Sequence, residues 1–287
     1  MVGYTSFSLV PPKLVKLFKR YACNAANYIF IALLFLLLFS GTDCRKPPPV
    51  VPPDNGPDTT SHNFSFQTFS LGDGNSSALY DCQIINDTLV YAVGEIYLKD
   101  STGSYDLHIP YNFAVWNGKG WDLRKVPYNY QGQLFYHPIQ TVFALNANDV
   151  WFGGNGLEHW DGKQFSNVDA VNPFWSGRLM RKIWASSDND IYIVGDEGTI
   201  VHYTNGSWQK INSGTTANIF DVWGITANGQ TTVYVPVSDV FGTSGVKKIL
   251  RIQGNTVDSL EWNTGRNVFS VWTPDGSTFY AVGNGVF

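Results

Sequence analysis

Charge is scarce in this chain. Asp, Glu, Lys and Arg make up 15% of its 287 residues, against roughly 25% in an ordinary soluble domain. Methionine is nearly absent, with 2 residues, and no tract rich in Leu, Ala, Glu and Lys appears. That composition excludes a helical bundle or coiled coil as the main architecture. A basic surplus is missing too. The 23 acids outnumber the 19 bases, for a net charge of −4, so no basic surface for nucleic acid is implied. Cysteine is limited to Cys23, Cys44 and Cys82. The longest apolar run, Tyr28 to Phe39, has 12 residues, whereas a spanning helix needs roughly 18 or more.

Aromatic residues and glycine are plentiful. The chain has 10 Trp, 15 Tyr, 19 Phe and 28 Gly, and 44% of its residues are hydrophobic. A sizeable core is therefore available, and global disorder is excluded. The mixture suits many short strands joined by tight turns.

Residues 1–43 read as an export signal. Lys13, Lys16, Lys19 and Arg20 form a positive region ahead of the apolar run, whose length fits a signal-peptide core of about 7–15 residues. Ser40 and Gly41 follow, then Thr42, Asp43 and Cys44. A cysteine at that point resembles the bacterial lipoprotein site, where it becomes the acylated N-terminus. Asp43 departs from the small residue usual there, so ordinary cleavage and an uncleaved anchor stay open beside lipidation of Cys44. Removing residues 1–43 takes away four bases and one acid, leaving 15 bases and 22 acids, a net charge of −7. Cys82 is then the sole thiol of the domain, and it reads as a small buried core residue. Residues 44–62 are a tether: six prolines between Arg45 and Asp58 make it extended and unable to join a sheet interior.

Residues 63–287 repeat. Trp116-Asn-Gly-Lys-Gly-Trp121 recurs as Trp160-Asp-Gly-Lys-Gln-Phe165, as Tyr203-Thr-Asn-Gly-Ser-Trp208 and, worn, as Arg251-Ile-Gln-Gly-Asn-Thr256. Asn/Asp-Gly between strand-like runs signals a hairpin whose turn residues take positive φ, with the flanking aromatics opposite each other. Upstream, Tyr91, Trp151, Tyr192, Tyr234 and Tyr280 sit at equivalent places, as in Asp149-Val-Trp-Phe-Gly-Gly154 and Asp190-Ile-Tyr-Ile-Val-Gly195. A third element precedes them: Cys82-Gln-Ile, Val142-Phe-Ala, Ile183-Trp-Ala, Val222-Trp-Gly and Val271-Trp-Thr. The fold class is all-β, a β-propeller of four-stranded blades with about five repeats visible. In the type repeat, strand a is Ile219–Gly224, b is Asp190–Gly195, c is Gly198–Tyr203 and d is Ser207–Ile211. Trp184, Trp223 and Trp272 are expected at one position on the inner strand. Phe64–Phe69 reads as a lone strand d, and the fifth copy breaks off at Phe287, as in a truncated chain, with ring closure through a defective fifth blade as the alternative.

The Asp-Val-Trp/Tyr, Gly and Trp-Asn/Asp-Gly pattern resembles the propeller repeats of the photosystem-assembly-factor type. Asp149-Val-Trp-Phe-Gly-Gly-Asn-Gly-Leu157 is also similar to the sensor propellers of two-component regulators. Signal, cysteine, Pro-rich tether and blades together resemble exported lipoproteins of Bacteroidota-like bacteria. The resemblance covers residues 63–287, is specific for fold and carries little about activity. It implies export to the cell envelope or outer membrane, with secretion as the alternative, and contact with the membrane only through the N-terminal lipid or signal.

Catalytic signatures are sparse. His159 and His202 share one repeat position, which reads as blade packing, and no Cys/His set has zinc spacing. No Gly-rich phosphate loop or Gly-x-Ser-x-Gly occurs, so no metal, cofactor or catalytic residue is assigned. Asp149 and Asp190 recur as turn acids. Thr273-Pro-Asp-Gly-Ser-Thr-Phe279 is faintly similar to a sialidase Asp-box but is a residue short and lies in the wrong turn. The function expected is a binding or scaffold module for a protein or glycan partner, and a sialidase-like carbohydrate-active enzyme is the alternative. Insertions at 99–106 and 238–247, and the segment Asn172-Pro-Phe-Trp-Ser-Gly-Arg178, break the repeat. Phe174, Trp175 and Arg178 are its binding candidates, because aromatics and Arg dominate interface hot spots. Trp175 is expected either exposed, as an anchor, or buried between blades.

Overall fold

Sheets form where the sequence repeats. The protein is described from a computed structural model at residues 65–73, 76–106, 109–239, 245–254 and 256–286. It divides into the units Met1–Gln67 and Thr68–Phe287. The signal, Cys44, the whole Pro-rich tether and Phe64 lie outside the described residues, and of the first unit only residues 65–67 are described, without strand or helix.

The second unit is a β-propeller of antiparallel four-stranded blades. Blade 1 is β1 (Ala78–Asn86), β2 (Leu89–Ile96), β3 (Tyr111–Trp116) and β4 (Trp121–Arg124). A two-stranded hairpin follows, β5 (Tyr128–Tyr130) and β6 (Gln133–Phe135). Blade 2 is β7 (Thr141–Asn146), β8 (Asp149–Gly153), β9 (Leu157–Trp160) and β10 (Phe165–Asn167). A one-turn helix α1 (Asn172–Trp175) leads to blade 3: β11 (Met180–Ser187), β12 (Asp190–Gly195), β13 (Ile200–Thr204) and β14 (Ser207–Ile211). Blade 4 is β15 (Trp223–Ala227), β16 (Gln230–Ser238), β17 (Lys247–Gln253) and β18 (Thr256–Leu260). The fifth sheet has three strands among the described residues, β19 (Val268–Trp272), β20 (Tyr280–Gly283) and β21 (Gly285–Val286). Strands in each blade are called a to d in chain order below.

The repeat register holds at residue level. Strand a pairs with strand b as Gln83 with Tyr91, Phe143 with Trp151, Trp184 with Tyr192, Trp223 with Tyr234 and Trp272 with Tyr280. The rings of Trp184 and Trp223 lean on the following blade. A Cβ at Gly224 would meet the Trp184 ring at 2.5 Å, and Trp223 donates to the Thr273 carbonyl at 2.9 Å. Trp184 is accordingly 8% exposed and Trp272, which no further sheet covers among the described residues, is 44% exposed. The expected aromatic pairs also face each other across the c–d hairpins: Trp116–Trp121, Trp160–Phe165 and Tyr203–Trp208. Ile252 and Val257 replace the pair in blade 4.

The recurrent glycine after strand b has a steric cause. At Gly94, Gly195 and Gly283 a Cβ would come within 2.1 Å of the carbonyl oxygen of Ala78, Leu179 or Asn267. A bulge in strand a of blades 1, 3 and 5 brings that carbonyl inward.

Innermost positions interlock the blades. The residues two before the strand-a aromatic position are Asp81, Thr141, Lys182, Asp221 and Ser270. Asp81 accepts from Thr141 Oγ1 (2.9 Å) and Val142 N (3.1 Å) of the next blade. Thr141 Oγ1 in turn accepts from Ile183 N at 3.2 Å. Asp221 accepts from Ser270 Oγ (2.6 Å) and Val271 N (3.2 Å). Lys182 has no lone pair to offer blade 4. Its ammonium reaches back to Asp81 at 2.6 Å, and its charge also acts on Asp221, whose carboxyl burial pushes up.

Four expectations are corrected, the last of them in part. Residues 65–71 form no strand; Phe69 instead lays its ring against Trp116 at 5.1 Å. Strand a of blade 4 begins at Trp223, because Ile219 N is spent on the Gly195 carbonyl at 3.0 Å and Asp221 serves the next blade. Cys82 is exposed: it lies on the face of β1 that points away from the blade 1–2 core. Positive φ at both turn residues holds at Asn205-Gly206, whereas Asn117 and Asp161 open four-residue loops and cap two backbone N–H groups each.

Candidate functional site

The a–b and c–d turns lie at one end of the sheets and the b–c and d–a connections at the other. Nearly everything that breaks the repeat is at the second end. It carries the β5–β6 hairpin, the segment from Asp169 through α1 to Arg178, the turn Asp196–Gly198 and the b–c connections of blades 1 and 4.

The hairpin is fastened to blade 2. Asn129 N donates to Asn167 Oδ1 at 3.1 Å, and Asn167 Nδ2 returns a bond to the Asn129 carbonyl at 2.5 Å. Asn112, buried in β3, anchors its stem by donating to the Val126 and His137 carbonyls (3.0 and 2.9 Å) and accepting from Val126 N (2.7 Å). The hairpin tip then holds Tyr130 and Leu134 more than half exposed, at 54% and 53%.

Beneath the hairpin sits Glu158. It pairs with Phe152 of β8, so its cross-strand equivalents in the other blades are Ala114, Val201 and Leu250. All three are buried and apolar, and Glu158 is itself only 6% exposed. It makes no side-chain hydrogen bond or ion pair with another described residue. Burial pushes its carboxyl from 4.5 up to about 8, its own backbone N–H lowers it, and the nearby Asp169 adds to the rise. The carboxyl lines a crevice of ≈ 10 Å³ with Asn112, Tyr128, His137, Asn155 and Gly156, space for about one water. His137 is held below its usual value by burial. Gly156 admits the Tyr128 ring, which a Cβ there would strike at 2.6 Å.

Of the residues picked out in sequence, Trp175 is 3% exposed, the buried one of the two placements expected for it. Its ring fills the space that Gly195 leaves open, where a Cβ would meet it at 2.6 Å, and its Nε1 finds no partner among the described residues. Phe174 packs half-buried against the same core. Arg178 Nε donates to Glu197 at 2.6 Å, tying the d–a segment to the b–c turn of blade 3. Sequence reading missed Glu158 because it stands beside His159, whose recurrence drew the comparison one residue too late.

The recurrent acids and histidines belong to the blades. Asp149 accepts from Trp151 Nε1 (2.9 Å) and pairs with His159 Nε2 (2.8 Å), and that imidazole stacks on Trp151 at 4.2 Å. Asp190 pairs with His202 at 2.7 Å, and His202 stacks on Tyr192 at 3.9 Å. Burial raises the Asp190 carboxyl, but bonds from Ser186, His202 and Thr231 outweigh it and hold it below the usual range. At the turn end, grooves of ≈ 390 and ≈ 440 Å³ follow the seams between blades 1 and 2 and between blades 2 and 3. Their floors are the repeat positions Tyr91 and Trp151, so they are products of the repeat. Among the described residues no group of three His, Cys, Asp or Glu is placed to hold a metal, and no helix is long and apolar enough to cross a membrane.

No protein-family model and no curated protein matches the chain. Solved β-propellers do. The extracellular domain of BT3049, assigned to a hybrid two component system from B. thetaiotaomicron, is 12% identical with a TM-score of 0.50, over 77% of this chain and 34% of that one. The WD40 β-propeller domain of Doa1 is 14% identical with a TM-score of 0.49, over 75% and 65%. YCF48 bound to D1 peptide is 14% identical with a TM-score of 0.47, over 77% and 68%. The chain thus spans about a third of the first protein's length and about two thirds of the other two. At these identities the likeness is one of fold.

Proposed function

We propose that the chain is a binding module that takes a protein or glycan partner on the loop end of blades 1 to 3. The observation that carries this is the β5–β6 hairpin. It belongs to no blade, its backbone is fastened from two sides, and it holds Tyr130 and Leu134 out of the core. Rigid display of apolar side chains lowers the ordering cost of binding. Phe174 and Arg178 border the same end, and Trp175 supports them from beneath. The carbohydrate-active enzyme is the weaker reading, because the acid with the most perturbed environment, Glu158, opens on space for one water and admits no sugar ring. The basic region, the apolar run, Cys44 and the prolines up to Asp58 support display from the cell envelope of a bacterium through an acylated cysteine, with secretion as the alternative.

Peptide and glycan arrays probed with the wild type and with the double variant Tyr130→Ser/Leu134→Ser test the face. The reading predicts array ligands whose signal the double variant loses by tenfold or more. Ligands that bind both proteins equally would place the binding surface elsewhere. Detergent phase partition of Cys44→Ser tests the address: release of this variant to the aqueous phase is expected, and retention would point to residues 28–39 as an uncleaved anchor.

A further inference from the structure

The acid under the hairpin has no role in holding the blade. Its equivalents Ala114, Val201 and Leu250 show that the position is apolar core, and a carboxyl there with no cation beside it costs stability. A carboxyl that opposes folding and lines a small crevice is a candidate ligand group.

From this arrangement we infer that the Glu158 crevice is a seat for a primary ammonium group, paired with the ionised Glu158 carboxylate between blades 1 and 2. This inference rests on the reading of the loop end as a binding face and names the chemistry of one contact on it. Three features select the charge and size of the occupant. The one charged side chain that lines the crevice is an acid, Glu158 from β9, and the nearby Asp169 adds negative field to it. No Lys or Arg lines it. The rings of Tyr128 and His137, with centroids 6.0 Å apart, form walls that favour a cation, and burial keeps His137 neutral so that it adds no repulsion. The space of ≈ 10 Å³ accepts a group the size of a water. An NH3+ head meets that limit, and guanidinium or a quaternary ammonium exceeds it.

The seat is coupled to protons. At neutral pH the empty site holds Glu158 mostly protonated, since burial places its titration near 8. Seating an ammonium stabilises the carboxylate and drives the proton to solvent. The base of the pair is thus uncovered only when the cation arrives.

Calorimetric titration of the full 287-residue chain in a zwitterionic detergent tests this at pH 7. Methylammonium chloride is the probe, in two buffers of different ionisation enthalpy. Saturable binding with release of about one proton per site is expected. Potassium chloride and tetramethylammonium chloride should bind at least tenfold more weakly. Glu158→Gln should lose both binding and proton release. Glu158→Leu, which copies Leu250 of blade 4, is the second variant and should fold while losing both signals. Comparing methylammonium with Nα-acetyl-lysinamide separates the sources: equal or tighter binding of the latter marks a lysine side chain of a partner, and tenfold weaker binding marks a free small amine. Absence of saturable binding, binding without proton release, equal potency of potassium, or an unchanged response in Glu158→Gln would overturn the assignment. If Glu158→Gln keeps every array ligand while methylammonium fails to bind, the ammonium seat falls and the binding face stands.

Discussion

At the turn end of the sheets, the hairpins after β3, β9 and β13 carry the same aromatic pair across the same Asn/Asp-Gly corner. At the loop end, the connections after β4 and β10 share neither length nor composition: one is a strand hairpin, the other a one-turn helix. The contrast follows from what each end must do. Turn residues bend the chain and pack blade against blade, so blades 1 to 3 keep the same chemistry and blade 4 keeps an apolar pair in its place. Loop-end residues are released from that duty once the inner interlock and the strand-b glycines have fixed the next blade. The difference is sharpest within one strand. His159 of β9 obeys the repeat, stacking on Trp151 as His202 stacks on Tyr192. Its neighbour Glu158 breaks it and carries an acid where apolar residues belong.

The comparison can be broken first in the body of the propeller. Trp184→Ala should cost about 3–5 kcal/mol in denaturant unfolding, the range for a buried Trp that leaves a cavity. Trp272→Ala, at the equivalent but exposed position, should cost less than about 1 kcal/mol. Equal losses would show that the exposure gradient along the strand-a aromatics has no energetic meaning.

Next in size is the inner interlock. Asp81→Ala removes bonds from Thr141, Val142 and Lys182 together and leaves the lysine without its partner. A loss of about 2–3 kcal/mol is expected, and adding Lys182→Met should restore part of it. No recovery in the double variant would mean that the ammonium contributes nothing beyond its stem.

The smallest effect belongs to the loop end. Tyr130→Ser/Leu134→Ser touches only exposed side chains and should shift stability by less than about 0.5 kcal/mol. A loss of 2 kcal/mol or more would make the hairpin part of the core, against the contrast drawn above.

Much of the body was legible in the sequence because a repeat tests itself. Five aligned copies of Tyr91, Trp151, Tyr192, Tyr234 and Tyr280 fixed strand b, and the structure pairs all five as expected. What the repeat does not constrain was harder to read. Trp175 offers the same letters whether displayed or buried; the deciding residue is Gly195, whose missing side chain makes the space and which lies twenty positions away. Strand a of blade 4 looked continuous from Ile219 because its apolar pattern is intact, but the Ile219 N–H and Asp221 serve neighbouring blades. Glu158 was readable in principle. Aligning Ala114, Glu158, Val201 and Leu250 exposes the single acid in an apolar column, a signal that motif searches pass over because it has no spacing.

The most direct test of Glu158 as an acid placed against the fold is stability as a function of pH for the wild type and Glu158→Leu. Burial raises this carboxyl in the folded protein, so the native state binds the proton more tightly than the unfolded chain does. The wild type should therefore lose stability as pH rises from about 4.5 to about 8 and then level off with respect to this group. Glu158→Leu lacks that loss, so the two curves should lie close together at acid pH and separate by a few kcal/mol towards pH 8, with the variant the more stable. Parallel curves across that range, or a variant less stable at pH 8, would contradict the account.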